Sequence, residues 1–288
     1  MTDLNAALVR SWLPERPADG HKGTFGRVLA VAGSVGFTGA PVLAARAATR
    51  SGVGLVFLGV PRAVWPVAAV KCDEAMPFPL PEDGEGRLSL EALEPLLARL
   101  AGCDAALLGP GLGQSGDLRA LVRTLLSRMP CPLVLDADGI NALDGHIDVL
   151  SDCPAPLVLT PHDGEYRHLM GRWPGEDRVA AAREAAAACR AVVVLKGHRT
   201  VIAAPDGRLW RNTTGNHGMA KGGSGDALAG ILLALLGQGM EPGRAAAAAV
   251  WIHGRAGDRC AGRLGYRGML PTDLIETLPE VWRDDLNS

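Results

Sequence analysis

The feature that most constrains this chain is a repeated alternation of short apolar runs with helix-like stretches. Apolar segments, several rich in β-branched residues, stand at 27–32 (RVLAVA), 54–60 (GLVFLGV), 105–108, 132–135, 157–159 and 191–195 (AVVVL). They are continuous rather than alternating, which suits strands buried on both faces of a parallel sheet. Helix candidates lie between them at 40–51, 88–100, 117–129, 164–171 and 179–190. This pattern predicts an α/β three-layer sandwich: a mostly parallel central sheet flanked by helices, joined by right-handed crossovers. Farther on, 200–204 and 209–212 flank Pro205-Asp206-Gly207 and read as a hairpin turning at Asp-Gly. Two alanine-rich helices follow, at 226–236 and 243–259. No linker or low-complexity stretch interrupts the sequence, so residues 1–288 are expected to form a single domain.

The totals exclude several classes. A formal net charge of −2 and the lack of a basic cluster leave no footprint for nucleic acid. Four Phe and two Tyr supply no stacking platform for single strands. The first residues carry acid, Arg and Pro with no apolar core, unlike a secretory signal. The longest apolar runs, around Ile231 and at 245–252, fall short of the ~20 residues needed to span a bilayer. Six scattered cysteines form neither a C-x-x-C pair nor a zinc-type cluster, and read as buried thiols in a reducing cytoplasm.

In open α/β sheets, ligands sit beyond the carboxyl ends of the strands. Five strand ends here carry ligand-type loops: 33–40 (GSVGFTGA), 109–113 (GPGLG), 136–141 (DADGIN), 160–165 (TPHDGE) and 196–200 (KGHRT). The sixth element is the run Lys221-Gly222-Gly223-Ser224-Gly225-Asp226, which opens an apolar helix. Its glycines let the backbone approach a ligand, and the helix N-terminus favours an anion. Asp226 adds a carboxylate there. It is either an N-cap or a base held beside a phosphate whose charge grows during transfer.

Each loop has a plain and a functional reading. Residues 33–40 form either a tight βα turn or a backbone cradle; the spacing is not G-x-G-x-x-G, and Val60-Pro61 stands where a ribose-binding acid would be expected. Three glycines at 109–113 favour close ligand approach. His162 is a loop residue or a hydrogen-bonding group toward substrate. Glu165 is either a helix-start acid or an anchor for hydrated Mg²⁺. Asp136 and Asp138 would help hold a metal or cap their turn. Lys196-Gly197 reads as a backbone wall for a nucleotide, with Lys196 toward phosphate. His21, His146, His168 and His253 carry no role.

Taken together, these strings resemble the ribokinase-like superfamily, and within it the ADP-dependent NAD(P)H-hydrate dehydratase family. The matching strings are HKGTFGRVLAVAGSVGFTGA, AARAATRSGVGLV, LGPGLG, LVLDADGINAL, LTPHDGE, VVVLKGHRTVIAAPDG and TTGNHGMAKGGSGDALAGIL, in the family's order. The resemblance implies a ribokinase-like sandwich. It also implies that Ala40, Gly113, His162 and Asp226 contact a hydrated dinucleotide, and that Lys196, Gly197, His198, Arg199, Thr200 and Gly225 hold an adenine nucleotide. Kinase cousins usually place Asn where His162 stands, which favours the dehydratase branch. Asp163 departs from the family's usual Pro.

The implied activity is ADP-dependent dehydration of the S-epimer of hydrated NADH or NADPH (NADHX, NADPHX), with AMP and phosphate released. Mg²⁺ is the implied metal and Asp226 the implied base. At its reference pKa of ~3.9 Asp226 would be a weak base, sufficient for a loose phosphoryl transfer. The resemblance further suggests a homo-oligomer, such as a tetramer, and an NAD(P)HX epimerase on a separate chain. Three competing readings stay open: a small-molecule kinase acting on a vitamin precursor, a nucleotide-sensing module, and an NAD-dependent dehydrogenase.

Overall fold

The computed structural model describes residues 1–286. Ten strands form one sheet: β1 (Thr2–Asp3), β2 (Arg27–Val31), β3 (Leu55–Pro61), β4 (Met76–Leu80), β5 (Ala105–Leu108), β6 (Leu133–Leu135), β7 (Leu157–Leu159), β8 (Val192–Leu195), β9 (Val201–Ala203) and β10 (Leu209–Arg211). Their order is β1-β10-β9-β8-β7-β6-β5-β2-β3-β4. Pairing is parallel from β8 through to β4, while β9 runs antiparallel to both β8 and β10. The expected hairpin is therefore β9–β10, and Gly207 takes its turn at φ 92.

The helices are α1 (Ala6–Arg10), α2 (Gly39–Arg50), α3 (Trp65–Lys71), α4 (Leu93–Leu100), α5 (Gly116–Leu126), α6 (Asp138–Asn141), α7 (Asp163–Met170), α8 (Arg178–Cys189), α9 (Ser224–Gly237), α10 (Pro242–Gly268) and α11 (Pro271–Val281). Successive strand residues point to opposite faces. In β2, Val28 and Ala30 join the core built with α2, α9, α10 and α11, whereas Leu29 and Val31 join the core built with α4, α5 and α8. Both faces of the sheet are thus covered, which is why the strand sequences lack polar alternation.

Several boundaries differ from expectation. The helix expected over 88–100 begins as a 3₁₀ turn at Leu90–Ala92. The one expected over 117–129 ends at Leu126, and α10 runs on to Gly268 with a break at Gly265 (φ 73). The strand β4 carries two prolines, so its sequence does not read as a strand; it lies at the sheet edge, where a missing N–H is tolerated. No helix among the described residues is long and apolar enough to cross a membrane. All six cysteines are free; burial pushes the Cys131 and Cys189 thiols up to about 12.

The chain leaves β2 toward β3 and β4 on one side, and continues from β5 through β8 on the other. The β2–β5 junction is the point where strand order reverses, and in open α/β sheets the ligand crevice lies outside the strand ends there. This junction positions the site.

Candidate active site

The loops beyond β2 and β5 are tied directly: Gly33 N–H donates to Pro110 O at 2.8 Å, and Ser34 Oγ to Gly111 O at 2.8 Å. The glycines at 109 and 111 serve this loop packing. A Cβ on Gly109 would stand 1.7 Å from Asp136 O, and one on Gly111 would stand 3.1 Å from the Ala40 Cβ. Gly113 (φ 74) faces Ser34 and Arg87, and its N–H donates to Asp138 Oδ2 at 2.8 Å. Ala40, Gly113 and Asp138 therefore share one side of the crevice.

At the end of β6, Ala137 adopts φ 48, an uncommon and strained backbone for alanine. It separates two carboxylates with different partners. Asp136 is 2% exposed and accepts from Thr160 Oγ1 at 2.7 Å and from Lys196 Nζ at 2.8 Å. Asp138 opens α6, and burial raises its carboxyl above the ordinary range against the pull of its two hydrogen bonds.

At the start of α7, His162 and Glu165 cap each other. His162 N–H donates to Glu165 Oε2 at 2.8 Å, and Glu165 N–H donates to His162 Nδ1 at 3.1 Å. The plain reading of this pair is thus present in full, and Glu165 is 5% exposed as a result. Yet the imidazole remains open to the cleft, with a side chain 59% exposed. Lys196, at the end of β8, also lies 3.4 Å from Glu165 Oε2. Burial alone would lower its pKa, but the carboxylates of Asp136 and Glu165 hold it above the ordinary lysine value.

Asp226 sits in the first turn of α9, a helix buried from Ala227 through Gly237 and entered through Gly223 at φ 98. Gly223 occupies the N-cap position, so Asp226 is not the N-cap. Burial, with repulsion from Asp136, Asp138 and Glu165 opposed by Lys196, pushes its carboxyl up to about 6. The reference value of ~3.9 is therefore corrected for this site. Gly225 packs against the lysine: a Cβ there would lie 3.6 Å from Lys196 Nζ. Three carboxylates, Asp136, Glu165 and Asp226, thus act on one ammonium, and that lysine lines a cleft of about 620 Å³. Among the described residues no three His, Cys, Asp or Glu side chains converge as a ready metal cage.

That cleft also takes in Gly197, His198, Arg199, Thr200 and Gly225. Gly197, His198 and Arg199 are exposed, whereas Thr200 is buried and closes the loop through Oγ1, donating to Gly197 O at 3.0 Å. Every residue singled out from the sequence falls at this one end of the sheet. Lys221 also lines the cleft, but its Nζ is engaged, donating to the carbonyls of Arg267 and Met269 at 2.7 and 2.5 Å and clamping the glycine turn to the end of α10.

Two contributors escaped sequence reasoning. Arg178, first residue of α8, donates to Asp163 Oδ1 and to Lys196 O, each at 2.7 Å. Asp163, the departure from Pro, therefore has a partner. His253 of α10 lines the cleft, and only its place in an alanine-rich helix set it apart in the sequence.

Comparison with known proteins bears on this arrangement. The NAD(P)H-hydrate dehydratase family matches residues 28–280. A bifunctional NAD(P)H-hydrate repair enzyme of Moorella thermoacetica is 50% identical over 284 residues, 98% of this chain and 54% of that protein. An ADP-dependent (S)-NAD(P)H-hydrate dehydratase of Bacillus subtilis is 36% identical over 278 residues, 96% of this chain and 95% of that protein. A crystal structure of an ADP/ATP-dependent NAD(P)H-hydrate dehydratase from Bacillus subtilis, co-crystallized with ATP/Mg²⁺, matches with a TM-score of 0.84 at 34% identity, covering 99% of this chain and 98% of that one. The chain spans about half the length of the bifunctional relatives it matches. With a ribokinase-like fold and the family's motifs gathered at one crevice, the chain belongs to the NAD(P)H-hydrate dehydratase family.

Proposed function

We propose that this chain dehydrates the S-epimer of NADHX and NADPHX at the expense of ADP, restoring NADH or NADPH and releasing AMP and phosphate. The observation that carries this reading is Asp226: a carboxyl held near pKa 6 at the glycine-flanked start of a buried helix. Such a group is a fitting base at neutral pH, beside amides that favour an anion.

Asp226 accepts the proton of the C6 hydroxyl as that oxygen attacks the β-phosphorus of ADP, and AMP leaves. The phosphate on C6 then departs with its bonding electrons, driven by the ring nitrogen lone pair. Loss of the C5 proton restores the dihydronicotinamide. Ala40 and Gly113, on the side of the β2 and β5 loops, hold the hydrated dinucleotide together with His162 at the start of α7. Lys196, Gly197, His198, Arg199, Thr200 and Gly225 hold ADP. The amides at the start of α9 stabilise the charge of the transferring phosphoryl group.

Magnesium suits the donor set, which is rich in hard carboxylate oxygens carrying excess negative charge. Mg²⁺ keeps most of its waters and needs only one or two carboxylates beside phosphates. Glu165 would hold it through water, with Asp136 or Asp138 alongside, and bound there it would neutralise phosphoryl charge.

The same reading places the chain in the cytoplasm, in keeping with six free thiols, and as a homo-oligomer such as a tetramer of 30.0 kDa subunits. An NAD(P)HX epimerase would be its functional partner; in the bifunctional relatives a second activity shares the polypeptide, so a separate epimerase chain is one of two arrangements. Sedimentation equilibrium on the purified chain tests the assembly.

The decisive assay follows reduced-nicotinamide absorbance after mixing the chain, Mg²⁺ and NADHX, with and without ADP. A rise that requires ADP, with stoichiometric AMP, is expected. A stable phosphorylated product in place of free phosphate would identify a kinase instead.

A further inference from the structure

His253 is the one buried histidine of the described residues, and the reading of the cleft above gives it no task. It is 9% exposed and lies on α10 beside Val250 and Gly254, against Leu228 of α9, at the floor of the cleft. The Ser224 backbone beside the ring favours its protonated form, but burial prevails and pushes the pKa down to about 4, so at neutral pH the imidazole is uncharged. A neutral imidazole has one N–H and one lone-pair nitrogen. Nε2 is buried and finds no hydrogen-bond partner among the described residues. Leaving a buried polar atom unpaired is costly, and such an atom in a cleft marks a ligand contact.

The surrounding polar side chains are already engaged with one another. Asn212 Nδ2 donates to Thr214 O at 2.8 Å, while Thr214 Oγ1 lies 3.0 Å from both Asn212 Oδ1 and Trp251 O. Asn216 Nδ2 donates to Asp258 Oδ1 at 3.0 Å, and Thr200 Oγ1 to Gly197 O. Nε2 therefore waits on something that enters the cleft.

A hydroxyl both donates and accepts, so it satisfies Nε2 in either tautomer of the neutral ring, whereas a phosphate oxygen satisfies only an Nε2–H. The ring lies beside Ser224, the residue that opens α9. In a nucleoside diphosphate, the sugar is the unit joined directly to the phosphates, and the base lies one unit farther off. The geometry points to His253 as a specificity residue that hydrogen-bonds a ribose hydroxyl of the nucleoside diphosphate. This inference rests on the proposed nucleotide reading of the cleft.

Calorimetric titration of the wild-type chain with ADP, 2′-deoxy-ADP, 3′-deoxy-ADP and IDP, each with Mg²⁺, tests it. One deoxy analogue is expected to bind about tenfold more weakly than ADP, with IDP within about twofold. In His253→Ala, ADP affinity should fall to that of the deoxy analogue, whose own affinity stays unchanged. His253→Gln, whose amide can donate or accept, should restore part of the discrimination. Should His253→Ala fail to fold, the wild-type series and the glutamine variant still decide the matter. Equal binding of ADP and both deoxy analogues by the wild type, or discrimination that survives in His253→Ala, overturns the assignment. Discrimination against IDP alone overturns the sugar contact in favour of the base. Absence of any ADP binding is a different outcome and removes the nucleotide reading itself.

Discussion

Asp226 answers to two opposed influences. The helix start favours a carboxylate, yet burial and three neighbouring carboxylates raise its pKa to about 6. An unfolded aspartate holds its proton only to the model value of 3.8, so folding takes up a proton between those two values. The associated stability is fully present below the lower value and is lost as pH rises through about 6. Asp226→Asn removes the charge but keeps the shape. It should stabilise the ligand-free chain at pH 8 by on the order of 2 kcal/mol and leave it unchanged near pH 4, as urea titrations at the two pH values would read. Turnover should fall by about 100-fold or more, the usual worth of a positioned base. Wild-type kcat/KM should also decline below about pH 6, as the carboxyl takes up its proton. An asparagine variant within a few-fold of wild type would remove the base assignment.

Individual elements are joined to the site by contacts that no motif announces. Arg178 links the start of α8 to Asp163 at the start of α7 and to the Lys196 carbonyl at the end of β8. A Cβ on Gly197 would stand 2.8 Å from its guanidinium, so the planar group also backs the nucleotide wall. Arg178→Ala should therefore raise KM for ADP by about tenfold while kcat changes less than about threefold; Arg178→Lys should recover little, because an ammonium cannot reproduce the fork. Equal losses in kcat and KM, or none in either, would show that this link does not set the loop. Packing between α2 and α9 makes a second demand. Gly230 lies so near α2 that a Cβ would stand 2.2 Å from Ala44 O. Alanine normally improves a helix interior by about 0.5–1 kcal/mol. Here Gly230→Ala should instead destabilise by about 1–3 kcal/mol in urea unfolding, because backbone must move aside.

At the scale of the whole molecule, the alternation of apolar runs and helices was enough to read the layered sheet, since strands covered on both faces must be continuously apolar. Strand order was not readable, because it is set by which crossover packs where; nor was β4, whose two prolines survive only at an edge. The site divides along the same line. His162, Glu165 and Lys196 stood in short strings at strand ends, where any ligand must come, and Asp226 in a glycine-rich string that opens a helix. His253 and Arg178 act through contacts with residues distant in sequence, and within α10 and α8 they resemble ordinary packing and surface residues. Because Asp136, Glu165, Lys196 and Gly225 come from four separate segments, the site exists only while the sheet is intact. Ligand binding should then be linked to global unfolding. At 100 times its Kd, ADP with Mg²⁺ should raise the unfolding free energy by about 2.7 kcal/mol, a shift of about 5–10 °C in Tm for a chain of this size. If residues 1–288 are one domain, differential scanning calorimetry should show a single transition that moves as a whole. A separate early transition indifferent to ADP would divide the chain into independent units, and would confine the site to the part that responds.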